Sequence, residues 1–106
     1  QAVIVQSGRF IAIEATEGTD AMIKRASAMI NPDNSPAIFI KMAKLHQSLD
    51  HDLPVFGLNT IKMLKASKIK IACLEAENCK LSNPLNEVES ATMKAGISLY
   101  AVDYER

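Results

Sequence analysis

Two runs rich in Val, Ile and Phe, Ala2 to Gln6 and Phe10 to Ala15, flank the dipeptide Ser7-Gly8. That pattern predicts a β-hairpin in which the glycine supplies positive φ, so the first element pair is antiparallel. From Thr19 the period changes. Apolar side chains recur at Met22, Ala26, Met29 and Ile30, the spacing of one helix face, with Lys24 and Arg25 on the other side. Asn31-Pro32 ends that helix, because proline donates no backbone hydrogen bond and disfavours helix in the residue before it. Residues 33–36 read as a loop, and Ala37 to Ile40 as a short central strand buried on both faces. Lys41 opens a long polar connection. A second helix starts near Asn59-Thr60, with Ile61, Leu64 and Ala66 inward and Lys62, Lys65 and Lys68 outward. Ile69 to Leu74 is the next buried strand. Asn83-Pro84 starts a third helix, whose inner face is Leu85, Val88, Thr92 and Ala95, and Gly96 ends it before a last strand, Ile97 to Val102. Strands alternating with helices in this way predict a small α/β sandwich of two or three layers, with a mainly parallel sheet and an N-terminal antiparallel hairpin.

Size and charge narrow the picture only a little. The chain has 106 residues, enough for one domain and one core, with roughly 65% of the unfolded surface becoming buried. It opens at Gln1 rather than methionine, as expected of a domain taken from something longer. Twelve basic and twelve acidic residues cancel without any block of like charge. General electrostatic attraction to nucleic acid or to an anionic membrane is therefore not expected, and an anionic ligand has to be met locally. Cys73 and Cys79 lack the further cysteines of a zinc site or a disulfide scaffold and read as reduced structural thiols of a cytoplasmic protein. There is no signal peptide and no stretch of about 18 apolar residues.

Candidate chemistry gathers at two places. In Glu14-Ala15-Thr16-Glu17-Gly18-Thr19-Asp20 a strand breaks at a glycine and a helix begins, so carboxylates, a hydroxyl and free helix-end amides meet at one turn that can hold a metal ion or a phosphate. Thr19 or Asp20 as an ordinary N-cap is the structural alternative. Glu14 shares a face with Ala12, and ligands of open α/β sheets sit at strand carboxyl ends. The second place is the stretch from Lys41 to Thr60. Lys41 and Lys44 close a strand, where ammonium groups serve phosphate oxygens, or are simply solvated. Asp50 and Asp52 alternate as in an extended segment, which puts both carboxylates on one side and His51 on the other, a spacing that suits Mg²⁺ or Mn²⁺ but is equally that of exposed loop aspartates. His46 reads as a surface histidine and the five methionines as core filler. No Ser/His/Asp triad, P-loop or GxGxxG is present, so phosphoryl chemistry would rest on charge and metal.

Gly8-Arg9, Ile13-Glu14-Ala15, the run Glu17-Gly18-Thr19-Asp20-Ala21-Met22 and Arg25 resemble the opening of the C-terminal domain of LpxI-type UDP-2,3-diacylglucosamine pyrophosphatases. Lys41, Lys44, Gln47, Asp52, Pro54, Gly57 and Thr60 fall at spacings similar to that family's Lys-x-x-Lys-Pro-x-Gln-Asp-x-Arg-x-Asp-x-Pro-x-x-Gly stretch. The resemblance covers nearly the whole chain and corresponds to the second half of the family protein. It implies a hydrolase of lipid A synthesis that splits UDP-2,3-diacylglucosamine with water into UMP and 2,3-diacylglucosamine 1-phosphate. It also implies a divalent metal, Mg²⁺ or Mn²⁺, and a substrate lying between this domain and an N-terminal α/β domain. By the same resemblance Asp52, Lys41 and Lys44 are catalytic, Glu17, Gly18, Thr19, Asp20 and Gln47 bind substrate, and Asp52 holds the metal, with Asp50 added as a second metal ligand from its spacing alone. A lipid substrate would bring the protein to the inner face of a membrane, and a homo-oligomer is compatible with all of this. The family pattern is broken at Leu45, Ser48 and Asp50. A non-catalytic ligand-binding or interaction domain of the same fold is the second reading, and Ser48 and Asp50 favour it. A scaffold role is a third, if residues 2–6 form an edge that pairs with another chain.

Overall fold

The first two apolar runs form a hairpin, β1 (Ala2–Gln6) against β2 (Arg9–Ile13). Its turn places Ser7 at φ 54° and Gly8 at φ 76°, and positive φ at both central residues is what lets a two-residue turn follow the strand twist. The computed structural model describes residues 2–43 and 54–103. After the hairpin come α1 (Thr19–Ser27), β3 (Ile38–Lys41), β4 (Val55–Phe56), α2 (Leu58–Ala66), β5 (Ile71–Glu75), β6 (Lys80–Leu81), α3 (Leu85–Ala95) and β7 (Ser98–Val102). The main sheet has the order β2-β1-β3-β5-β7. β1 is antiparallel to both of its neighbours, whereas β3, β5 and β7 are mutually parallel, so β1 alone runs against the rest. Because β1 lies inside the sheet, residues 2–6 are not an open edge, and the edge-pairing scaffold reading has no edge there to use.

One face of the sheet makes the core. Ile4, Ala12, Phe39 and Ala72 are buried from the strands, against Met22, Ile23 and Ala26 of α1, Ile61 and Leu64 of α2, and Val88 of α3. Each large side chain among these contributes about 1.5–3 kcal/mol of apolar burial. The helices pack side by side, α1 on α2 and α2 on α3. The described residues therefore make two layers, not three. β3 alternates half-buried with buried residues instead of being buried on both faces, because the helices cover only the side that carries Phe39 and Lys41.

Several element limits differ from expectation for local reasons. α1 stops at Ser27, where Met29 N–H bonds to Ala26 O at 2.8 Å and closes a tighter turn, so Met29 leaves the helix face and is 47% exposed. Ala66 and Leu85 also point to solvent, since each sits at a helix end beyond the packed stripe; Met63 and Ala91 take up the contacts instead. The expected strand Phe10 to Ala15 ends at Ile13. The expected polar connection after Lys41 contains β4, which pairs in parallel with β6 as a separate two-stranded sheet. Phe56 anchors that small sheet, fully buried with its ring centroid 6.1 Å from that of Phe39. This contact sets the β4 backbone beside the end of β3.

Candidate functional site

Strands β2, β3, β5 and β7 all end at the same side of the sheet, and Lys41 closes β3 there. Its side chain lies on the helix-covered face and is only 5% exposed. The ammonium donates to Thr19 Oγ1 at 2.9 Å and to Val55 O at 2.6 Å. Thr19 Oγ1 in turn donates to Glu14 Oε1, so a chain of polar contacts runs from Lys41 through Thr19 to Glu14. Both acceptors of the ammonium are uncharged. Among the described residues no carboxylate forms an ion pair with Lys41, the one salt bridge being Arg25 to Glu17. Desolvation pushes the Lys41 pKa below its ordinary value, and the nearby charges of Glu14, Cys79 and Asp20 oppose that shift without cancelling it. Burial in turn pushes the half-buried Cys79 thiol up, an effect moderated by Lys41.

The turn before α1 explains why Thr19 is available. Gly18, at φ 91°, occupies the N-cap and has no side chain to cap with. Thr19 and Asp20 are therefore not the caps that the sequence allows. They are first-turn residues whose side chains leave the helix: Thr19 toward Lys41, and Asp20 toward Thr60, whose Oγ1 donates to Asp20 Oδ1 at 3.1 Å. Glu17 takes a different part. Its carboxylate accepts from Arg25 at 2.8 Å and from Ala15 N–H at 3.3 Å, while Arg25 also donates to Ile13 O at 3.1 Å. The Arg25 guanidinium holds the Glu17 carboxyl below the usual range. This exposed clamp ties the turn to the body of α1.

α2 begins beside this turn at Gly57, which likewise offers no side-chain cap. Its first amide, Leu58 N–H, bonds to Asn83 Oδ1 at 3.2 Å, and Ser82 Oγ reaches the same oxygen at 3.1 Å. Asn83, which the sequence assigns to the start of α3, thus serves α2, and Pro84 is the residue before α3. A Cβ on Gly57 would come within 1.8 Å of Ser82 Oγ and 2.8 Å of Asn83 Oδ1, so only glycine fits against this clamp. Between the starts of α1 and α2 lies a shallow cleft of about 410 Å³, lined by Asp20, Val55, Gly57, Asn59, Thr60 and Asn83 among others. Thr60 and Asn83 are partners that hydrophobic patterning passes over, because both bonds join segments far apart in sequence.

This end can receive an anion: a buried ammonium, a hydroxyl, and two helix starts whose first turns present backbone N–H groups. The acidic-turn residues and Lys41 are brought together, with Glu17 turned outward onto Arg25. Lys44, Gln47, Asp50 and Asp52 lie outside the described residues, as do Leu45, His46, Ser48 and His51. The family model for the LpxI C-terminal domain matches residues 1–100. The chain belongs to the LpxI C-terminal domain family. That membership points to an enzyme of lipid A biosynthesis. No curated protein matches the chain.

Several residues that carry the resemblance to the LpxI C-terminal domain shape the backbone at three places, the hairpin, the turn before α1 and the start of α2. Gly8 and Gly18 adopt positive φ, Arg25 and Glu17 close the clamp, and Gly57 makes room for Ser82 and Asn83. Lys41, Thr19, Asp20 and Thr60 are the members of that pattern that line the strand end with polar groups. Among the described residues no three His, Cys, Asp or Glu side chains group as metal ligands. The carboxylates nearest Lys41 are also occupied, Glu14 by Thr19 and Asp20 by Thr60. No described helix is long and apolar enough to cross a membrane.

Proposed function

We propose that this domain supplies the phosphate-holding wall of a metal-dependent hydrolase that cleaves the pyrophosphate of UDP-2,3-diacylglucosamine to UMP and 2,3-diacylglucosamine 1-phosphate. The observation that supports the reading is the Lys41 ammonium, buried at a strand carboxyl end where its direct partners among the described residues are neutral oxygens. Burying a cation without a paired anion is costly, and an arriving phosphate removes that cost while accepting the ammonium's remaining N–H. Cleavage leaves more negative charge on the departing phosphate than on the diester it came from. A fixed ammonium beside it stabilises the product side of the reaction and its transition state more than the ground state. Thr19 holds Lys41 in place and is itself fixed by Glu14. The first-turn amides of α1 and α2 face the same end and favour negative charge there.

The remaining parts of the proposal rest on the family resemblance, except Asp50, which rests on its spacing from Asp52. Lys44 is a second cation for the same oxygens, Gln47 a substrate contact, and Asp52 the group that positions or deprotonates the attacking water. Asp50 and Asp52 are the proposed ligands for Mg²⁺ or Mn²⁺, which would supply charge stabilisation when bound. The family's N-terminal domain closes the other side of the site, and the intact protein works from the cytoplasm at the inner membrane surface, where its lipid substrate resides. The test is UMP release from UDP-2,3-diacylglucosamine by the full-length protein with Mg²⁺ or Mn²⁺, compared with Asp52→Asn and Lys41→Met variants. Turnover that disappears on chelation and in Asp52→Asn is the expected result. A folded full-length protein with no turnover under any of these metals would favour the binding-domain reading instead.

A further inference from the structure

We propose that the helix-free face of the main sheet is a self-association surface on which a second copy of this chain docks face to face. Strands paired in parallel, as β3, β5 and β7 are, are usually covered on both faces. Here, among the described residues, all three helices lie on one side. Cross-strand register shows what the other side carries. One row runs through Phe10, Val5, Ile38, Ile71 and Ser98, and the next through Ile13, Val3, Ile40, Cys73 and Tyr100. Neither row contains a charged side chain. Its outer members stand well out of the protein, with Phe10 70%, Ile13 57% and Tyr100 54% exposed.

A solvent face of a sheet normally alternates to polar residues, and contiguous apolar patches of this extent mark association sites. Two properties favour a second copy as the occupant. Without charges the two rows can meet their own image with no ion desolvated and no like charges opposed, as a two-fold interface requires. The size also fits. Five strands about 4.8 Å apart and about 15 Å long make a face of roughly 20 by 15 Å, and stacking two corrugated faces removes on the order of 1,000 Å² from water, the lower end for a specific interface. Cys73 lies beside the central strand of the face, so a two-fold axis near the middle would bring the two thiols near each other. The face is turned away from the strand ends that the proposed function gives to the N-terminal domain. Only this last point rests on that reading, and oligomeric state is measured without turnover, so either can fail alone.

The experiment is sedimentation equilibrium on the full-length protein and its Phe10→Glu/Tyr100→Glu variant, with circular dichroism and a thermal melt to establish folding. A wild-type dimer at micromolar concentration is expected, weakened at least about tenfold in the variant, together with a Cys73–Cys73 peptide after treatment with a bismaleimide. Tyr100→Arg alone, on an outer strand, repeats the test should the double variant fail to fold. A monomer at concentrations up to about 100 µM would overturn the proposal, as would a dimer that survives the substitutions. So would a monomer whose Cys73 is protected from maleimide, which would mean that its own other domain covers the face.

Discussion

Gln6 and Lys41 are mirror cases at opposite ends of the sheet's helix-covered face. Both side chains are polar, long and 5% exposed. Gln6 is neutral and fully employed: its amide donates to Asn31 O at 2.7 Å and to Ser35 O at 3.0 Å and accepts from Asn31 N–H at 3.0 Å. It stitches the loop after α1 to β1. Beside it lies a larger cleft of about 470 Å³, lined by Asn31, Ser35, Lys68 and Lys70 among others. Lys41 is charged, and among the described residues its direct partners are a hydroxyl and a carbonyl. The comparison teaches that cleft size is a poor guide in this molecule. At the end with the larger cleft Gln6 is satisfied internally, and helices α1 and α2 end there, where the negative partial charge is complemented by the nearby Lys68 and Lys70. The strand-end side has Lys41, which among the described residues forms no ion pair, together with two helix starts and the carboxyl ends of the strands, where open α/β sheets bind ligands.

Exchanging the two side chains' roles by mutation is the strongest way to break this comparison. Lys41→Met in the full-length protein is expected to lower turnover by about 10²–10³-fold, the usual cost of one preorganised electrostatic contact. Its stability should change little, because removing a buried charge offsets the lost hydrogen bonds. Gln6→Leu should do the reverse. It leaves two carbonyls and an amide without their partner and should cost about 2–3 kcal/mol of stability, with activity retained in whatever fraction is folded. Paired denaturation curves and UMP-release rates would show it, and equal loss of both properties in both variants would erase the distinction.

A substitution at Gly57 asks whether the α2 start matters to the Lys41 end. Gly57→Ala must displace Ser82 and the Asn83 oxygen that receives Leu58 N–H. A cost of about 1–3 kcal/mol is expected from overpacking, measured by urea unfolding. Ser82→Gly in the same background should recover part of it. Full stability in Gly57→Ala would mean that the clamp moves aside freely.

What the sequence made legible follows from how far apart the partners are. The hairpin, the three helices and the mainly parallel sheet were visible because each is written in the local period of apolar residues and in Ser7-Gly8, Pro84 and Gly96. The site was legible in composition: the turn around Glu14 to Asp20 and Lys41 could be singled out. Their arrangement was not. That Gly18 takes the cap and so frees Thr19 for Lys41, that Arg25 draws Glu17 outward, and that Asn83 serves α2 all depend on segments brought together by the sheet. β4 and β6 escaped because a two-residue strand carries no periodicity. Asp52, the residue on which the family resemblance sets most, lies with Asp50, Lys44 and Gln47 outside the described residues, so the structure adds nothing to their reading.

A smaller effect, specific to one end, is the pH dependence of stability. Burial lowers the Lys41 pKa from its ordinary 10.5, so between the folded value and 10.5 the unfolded chain holds a proton that the native protein has released. Stability tied to this group therefore rises as pH increases through that window, the sign opposite to that of a lysine held in an ion pair. Lys41→Met should flatten this part of the profile, whereas Gln6→Leu, which changes no titrating group, should leave its slope intact. The difference between the two slopes is the reading, obtained from denaturation midpoints on the alkaline side. A bound phosphate would favour the charged ammonium and move its pKa back up, so inorganic phosphate should reduce the slope in the wild type and not in Lys41→Met.

The smallest expected effect lies within the turn itself, between its clamp and its cation. Arg25→Gln removes an exposed ion pair and the bond to Ile13 O, and exposed pairs contribute little to stability. The melting temperature should fall slightly, and added salt should narrow the gap between wild type and variant because screening weakens only the intact pair. Turnover should fall more than stability does, because a looser turn lets Thr19 and the start of α1 move away from Lys41. That split separates a clamp that positions the site from one that merely decorates the surface. Equal, marginal changes in both measurements would place Glu17 and Arg25 outside the working part of the turn and leave Lys41, Thr19 and Glu14 as its core.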